Sequence, residues 1–255
     1  MTPFAALHQA DTLLLLPNAW DHASAAALAA EGFPAIGTTS LGVAAAAGLP
    51  DGTGVTREVT VRLARQLGGQ PYLLSVDAED GFSEEPDDVA ELARELAAAG
   101  AVGINMEDGL GSADLHAAKI AAVKAAVPDL FVNARTDTYW LAQGDALDTA
   151  RRLDVYQQAG ADGVFVPGLT DPTEIATLVK NLDVPLNLLY SPSGPPLTHF
   201  ADLGVRRVSL GSLLYRRALG AVLDTVADIR AGRPIEGATP TYEDVQALSG
   251  QSSGS

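Results

Sequence analysis

Short apolar runs alternate along this chain with longer segments in which apolar residues recur at helical spacing, and the alternation continues to about residue 230 without a break in composition. Runs at 12–17, 34–39, 72–77, 102–107, 131–135, 163–167, 185–190 and 206–210 have the length and composition of strands. Between them, Thr56 is a suitable N-cap for a helix with Val59, Leu63 and Leu67 on one face, and Pro86 opens another with Val89, Leu92, Ala93 and Leu96 at helical spacing. Helices also fit 22–31, 114–126, 145–159, 171–181 and 212–230, with a shorter one near 196–203. Gly32, Gly100 and Gly160 stand just past helix ends, where C-cap glycines belong. Strand and helix in alternation call for a parallel sheet, and eight such units in 255 residues most economically form a (β/α)₈ TIM barrel. A doubly wound open sheet is the competing arrangement, and it is weakened because no Gly-x-Gly-x-x-Gly turn follows the first strand. The barrel domain is expected over 1–235, with a C-terminal extension over 236–255 whose last residues, Ser249 to Ser255, are flexible by composition.

A barrel places its chemistry at the C-terminal ends of the strands, and those positions are rich in functional groups. Asp77 and Glu79 follow the third run and Glu107 and Asp108 the fourth, so carboxylates gather on adjacent strands in an apolar setting. Like charges there repel unless a cation sits among them, and hard oxygen ligands suit Mg²⁺ or Mn²⁺. Asp77, Glu79 and Glu107 are therefore the candidate metal ligands. Arg135 ends the fifth run and points toward the mouth, where it either grips a substrate carboxylate or pairs with Glu107 or Asp137. The turn Thr38-Thr39-Ser40-Leu41-Gly42 offers hydroxyls and N–H groups to a carboxylate or oxyanion, and Asp51 lies in a glycine-rich connection of the kind that forms lids.

Charge and composition narrow the partners. Thirty-two acidic against sixteen basic residues give a formal net charge of −16, which argues against nucleic acid or an anionic membrane surface. No run approaches the roughly 18 apolar residues of a membrane span, and a cytoplasmic protein is expected. The absence of cysteine excludes disulfides and thiolate chemistry. The four histidines show no metal-ligand spacing. The segment Ser209-Leu210-Gly211-Ser212 before a helix resembles a phosphate cradle, without a matching glycine-rich loop after the preceding strand.

Taken in order, Leu16-Pro17-Asn18-Ala19-Trp20-Asp21, Thr38-Thr39-Ser40-Leu41-Gly42, Pro50-Asp51-Gly52, Asp77-Ala78-Glu79-Asp80-Gly81, Glu107-Asp108 and Ala134-Arg135-Thr136-Asp137 resemble the isocitrate lyase/phosphoenolpyruvate mutase superfamily over about residues 10 to 230. The resemblance implies a TIM barrel that assembles as a homo-oligomer, usually a tetramer exchanging a helix, and that binds Mg²⁺ and a small anionic 2-oxo or 2-hydroxy carboxylate. It implies that Asp77, Glu79 and Glu107 hold the metal, that Asp51 is the gating-loop aspartate, that Arg135 meets the substrate, and that Thr39, Ser40 and Leu41 hold its carboxylate. Bonds from carbon to carbon or phosphorus are then broken beside an enolate.

Departures from the family pattern limit the reaction. The lyase loop with its Lys-Lys/Arg-Cys-Gly-His motif is absent, as is the mutase loop, and Glu107-Asp108-Gly109-Leu110-Gly111-Ser112-Ala113-Asp114 runs almost directly into a helix. The metal-site pair reads Asp-x-Glu in place of the commoner Asp-x-Asp. Of the lyase segment Asn-Ile-Thr-Glu-Phe-Gly only Asn187 remains, with Tyr190 at the Glu position. Acid–base work is left to Asp51, Tyr190, Asp108 or a metal-bound water. A Mg²⁺-dependent carbon–carbon lyase is the leading expectation, with phosphoenolpyruvate mutase or phosphonopyruvate hydrolase chemistry, or a non-catalytic carboxylate-binding barrel, as alternatives.

Overall fold

The structure, a computed structural model, describes residues 1–249. Nine parallel strands, β1 (Leu14–Leu16), β2 (Asn18–Ala19), β3 (Ala35–Thr38), β4 (Leu73–Asp77), β5 (Ala101–Glu107), β6 (Phe131–Arg135), β7 (Gly163–Val166), β8 (Leu186–Leu189) and β9 (Arg207–Ser209), form one sheet. Its order is β1-β9-β8-β7-β6-β5-β4-β3-β2, so the two ends of the sheet are consecutive pieces of one strand. Pro17 has no N–H and interrupts the ladder there. Leu14 to Leu16 pair with β9, and Asn18 and Ala19 pair with β3, while the Pro17 carbonyl accepts from the Gly37 N–H at 2.8 Å. The eight expected runs thus give the expected TIM barrel, with the first run split into two strands and carried to residue 19.

Helices α2 (His22–Ala30), α4 (Arg57–Leu67), α5 (Pro86–Ala98), α6 (Ala113–Ala126), α7 (Ala146–Gln158), α8 (Pro172–Asn181), α9 (Leu197–Asp202) and α10 (Leu213–Ala231) lie where the pattern places helices. Gly32, Gly100 and Gly160 follow the C-caps of α2, α5 and α7 with φ of +86°, +99° and +101°, which a residue with a Cβ rarely adopts. Three helices lie outside the predicted set: α1 (Pro3–Leu7), α3 (Ser40–Ala47) and α11 (Tyr242–Leu248). In the extension, α11 packs against α2, where the Leu248 carbonyl lies 3.1 Å from His22 Nε2. The expected flexible tail falls, apart from Ser249, outside the described residues.

Strand alternation separates two interiors. Ile36, Leu74, Val76, Ile104, Met106, Val132, Val164, Leu188 and Val208 are buried in the main apolar core with Leu67, Leu92 and Leu96 of the helices. Residues of the other parity face the barrel axis, and there the middle is polar. Asn133 Nδ2 donates to Asn105 Oδ1 at 2.8 Å, Arg207 donates to that same oxygen at 3.1 Å and to Ser209 Oγ at 3.0 Å, and Asn187 Nδ2 meets Ser209 Oγ at 3.0 Å. The N-terminal mouth is plugged by α1. Phe4 packs edge-on to Phe131 with centroids 5.3 Å apart, and His8 stacks on Phe131 at 4.3 Å. Burial pushes the His8 imidazole down to about 3, so this ring is neutral.

Candidate active site

The alternation that makes the barrel interior polar also carries chemistry to its open end. In β4, β5 and β6 the inward parity runs through Ser75, Asn105 and Asn133 and surfaces at Asp77, Glu107 and Arg135. These three line a cavity of about 330 Å³ at the C-terminal ends of the strands, together with Asn18, Thr39, Ser40, Leu41, Asp51, Asn105 and Asp137. A larger groove of about 390 Å³ lies outside the barrel between α7 and α8; its lining includes no basic side chain to meet an anion.

Each polar group in the cavity is held by its neighbours. Asp77 accepts the Ser40 N–H at 3.0 Å through Oδ2, while its own N–H donates to Thr38 Oγ1 at 2.8 Å. Ser40 begins α3, so this carboxylate sits at a helix N-terminus where partial positive charge favours an anion. The N-cap Thr39 makes no side-chain capping bond, and Thr39, Ser40 and Leu41 at the start of α3 line the cavity. Arg135 forms an ion pair with Glu107, Nη1 to Oε2 at 2.6 Å, and donates through Nε to Asp137 Oδ1 at 2.7 Å, and its guanidinium carbon lies 5.9 Å from the Trp140 ring centre and 5.8 Å from that of Phe165. The two ways of reading Arg135 from sequence therefore coexist. It pairs with both acids and still faces the cavity.

Burial pushes the Glu107 carboxyl up to about 8; Arg135 opposes the shift, and Asp77, Asp137 and Asp51 add to it. Burial also raises Asp51, against bonds from the Ser40 side chain and the Gly52 N–H. So much unbalanced negative charge in a partly enclosed space is what a divalent cation would relieve. Mg²⁺ characteristically takes one or two carboxylates and keeps its remaining sites for water and substrate. Asp77 and Glu107 fit that description. Among the described residues no three His, Asp or Glu side chains converge as a closed ligand cage.

Three residues singled out from sequence lie elsewhere. Glu79 adopts a left-handed φ of +48°, which turns its buried side chain behind the site toward the start of α4. There the Thr56 hydroxyl donates to Oε1 and the Gly54 N–H to Oε2 at 3.4 Å. Thr56 holds the expected N-cap position, yet its hydroxyl serves Glu79 and not the helix. Asn187 points inward below the cavity floor, bonded to Ser209. Tyr190 is one residue out of phase: Asn187 and Leu189 face inward, so the Tyr190 ring packs against the apolar core while Leu189 lines the cavity.

Asp108 is also assigned a different task from acid–base chemistry. Its side chain has no exposed surface and accepts from Tyr156 Oη at 2.6 Å, Arg152 at 3.1 Å, and the N–H groups of Leu110 at 3.0 Å and Asp137 at 3.1 Å. Burial opposes its charge, but the bonds from Tyr156 and from the Leu110 and Asp137 N–H groups outweigh it and hold the carboxyl below the ordinary range. It anchors the loops that carry Glu107 and Asp137. Trp140, Phe165, Pro167 and Leu189, which line the cavity, escaped the sequence reading, although inward parity through Gly163, Phe165 and Pro167 marks one side of the site.

Known proteins share this architecture. The chain is 45% identical over 249 residues to an uncharacterized protein of Mycobacterium tuberculosis (strain ATCC 25618 / H37Rv), covering 96% of this chain and 95% of that one. It is 30% identical over 207 residues to an oxaloacetate decarboxylase of Ectopseudomonas mendocina (strain ymp), covering 74% and 70%. A crystal structure of phosphonopyruvate hydrolase in complex with oxalate and Mg²⁺ superposes with a TM-score of 0.83 at 26% identity, over 97% of this chain and 93% of that one. Residues 4–230 match the phosphoenolpyruvate phosphomutase family, the chain's relatives include a 2-methylisocitrate lyase of Bacillus subtilis (strain 168) at 33% identity over 72% of this chain and 64% of that one, and the chain belongs to that family of enzymes.

Proposed function

We propose that the protein is a Mg²⁺- or Mn²⁺-dependent lyase that cleaves a carbon–carbon bond of a 2-hydroxy or 2-oxo carboxylate through a pyruvate-like enolate. One observation carries the reading: Asp77, Glu107, Arg135 and the uncapped start of α3 share a single cavity at the strand ends. The N–H groups at Leu41 and Gly42 belong to the first turn of α3 and lack helical acceptors, so they suit a substrate carboxylate, with Thr39 and Ser40 beside them. Arg135, held by Glu107 and Asp137, presents its remaining donors to the oxygen on which enolate charge develops. Asp77 and Glu107 would hold the cation, which when bound would supply positive charge to the developing enolate. Asp51, its carboxyl raised by burial, is the group in the cavity suited to moving a proton.

The kinship with an oxaloacetate decarboxylase supports carbon–carbon cleavage, and oxalate beside Mg²⁺ in the phosphonopyruvate hydrolase supports an enolate site, since oxalate has the shape and charge of that intermediate. A homo-oligomer, dimer or tetramer, is part of the reading and is supported by α10, along which Leu219, Val222, Leu223, Val226 and Ile229 are exposed. Among the described residues no helix is long and apolar enough to cross a membrane, in keeping with a cytoplasmic enzyme.

The test is release of pyruvate or glyoxylate from 2-oxo and 2-hydroxy acids with Mg²⁺ present, by wild type and by Asp77→Ala. A rate reduced at least a hundredfold in the variant is expected. Product formation unaffected by Asp77→Ala, or none from any acid, would sink the proposal. Phosphorus NMR of phosphonopyruvate with the enzyme is expected to stay unchanged, and loss of its signal would move the assignment to phosphorus–carbon chemistry.

A further inference from the structure

The cavity is divided by chemistry. Its anion-handling groups come from the ends of β3 to β6, the wall from β2 and the end of β9 carries the uncharged Asn18, Ser209 and Ser212, and the side built from β6 to β8 is apolar: Trp140, Leu141, Phe165, Pro167 and Leu189. Among the described lining residues Arg135 is the only cation, facing Asp51, Asp77, Glu107 and Asp137, and two sides of its guanidinium are already taken by Glu107 and Asp137. Arg207 does not substitute for it, because it lies fully buried beneath the cavity, with Nε bonded to Ser209 and Nη2 to Asn105. A substrate with one carboxylate can place it at the start of α3 with its 2-oxo oxygen toward Arg135. A second carboxylate or a phosphonate would then enter the apolar half, losing water without gaining a counter-charge.

We infer that the substrate is a 4-hydroxy-2-oxo monocarboxylate bearing an alkyl or aryl group on C4, an assignment that rests on the enolate reading and extends it to the half of the substrate that departs. The C3–C4 bond breaks, and its electron pair forms the C2–C3 double bond of the pyruvate enolate. The C4 hydroxyl gives its proton to the Asp51 carboxylate as C4 becomes the carbonyl carbon of an aldehyde. Asp51 returns that proton to C3, so the products are pyruvate and a neutral aldehyde and no other reactant is consumed. The aldehyde and its apolar group lie against Phe165, Leu189 and Leu141, where absence of charge is an advantage.

The experiment compares 4-hydroxy-2-oxohexanoate with 4-hydroxy-2-oxoglutarate, which undergoes the same cleavage but carries a carboxylate on C4, and with oxaloacetate, using the full chain with Mg²⁺. Expected is a kcat/KM at least tenfold higher for the hexanoate than for either dicarboxylate. Leu141→Arg, at an exposed position of the apolar side, is expected to shift the hexanoate-to-oxoglutarate ratio at least tenfold toward the dicarboxylate. Preference for oxoglutarate or oxaloacetate by wild type overturns the inference while the enolate reading stands. An unmoved ratio in Leu141→Arg also overturns it, and absence of pyruvate from all three overturns both.

Discussion

Asp108→Asn separates an anchoring carboxylate from a catalytic one. Oδ1 accepts N–H groups from Leu110 and Asp137, and an Asn carbonyl oxygen can continue to do so. Oδ2 faces Tyr156 Oη at 2.6 Å and Arg152 at 3.1 Å, and there the variant places an NH₂ group against two donors. Two hydrogen bonds to a charged acceptor are lost, each worth about 1.5–3 kcal/mol. Arg152 retains Asp148 at 2.9 Å and the Gly111 carbonyl at 3.0 Å, so its loss falls at the lower end. A total of about 3–5 kcal/mol follows, in line with breaking one side of a buried charged pair. Tyr156→Phe removes a single bond and should cost about 1.5–3 kcal/mol. Urea unfolding should register both as lower midpoints at unchanged slope, and the double variant should be clearly less destabilised than the sum. If Asp108→Asn cost less than about 1 kcal/mol yet abolished turnover, the anchoring role would be refuted and a direct part in proton transfer required.

Other consequences can be checked separately. Tyr190→Phe should leave kcat/KM within about twofold, because the ring packs away from the cavity; a loss beyond tenfold would place its hydroxyl in the reaction. His8 and His116 are held by burial near 3 and 4, below their ordinary 6.5, so as pH falls from 6.5 toward 4 the unfolded chain takes up protons that the folded chain does not. Stability should therefore drop toward acid by about 1.4 kcal/mol per pH unit for each ring, and His8→Phe should remove its share between pH 7.5 and 5. Gly103→Ala would place a Cβ 2.6 Å from the Phe4 ring, and an overpacking loss of about 1–3 kcal/mol is expected by calorimetry, partly recovered by Phe4→Leu. An unchanged melting temperature would show that α1 moves aside freely.

The strands were legible because each is a compact apolar run, and the major helices because their apolar positions repeat with helical period. Helix α3 was hidden for the opposite reason. Ser40 to Ala47 is almost uniformly small and apolar, so it has no polar face to reveal a period, and Gly42 reads as a turn. Helix α1 has only five residues, while α11 carried a usable signal in the reciprocal capping of Thr241 and Asp244. For the site, residue type and strand position located Asp77, Glu107, Arg135 and Asp51 near one another. What position along the chain could not convey was the left-handed backbone at Glu79, which depends on how the loop meets β5 through the Glu107 N–H. Counting by twos from Asn187 selects Leu189, which lines the cavity, in place of Tyr190, which packs against the core.

The interruption at Pro17 gives the ring a seam, and one amide fastens it. Asn18 Nδ2 donates to the Thr38 carbonyl at 2.6 Å, while its Oδ1 accepts the N–H groups of Leu210 at 3.0 Å and Gly211 at 2.8 Å, joining the loops beyond β3 and β9. Asn18, Ser209 and Gly211 also form part of the cavity wall. Parting the cylinder and dissolving the binding surface are therefore one event, and any occupant that bridges those three residues acts as a rivet across the join.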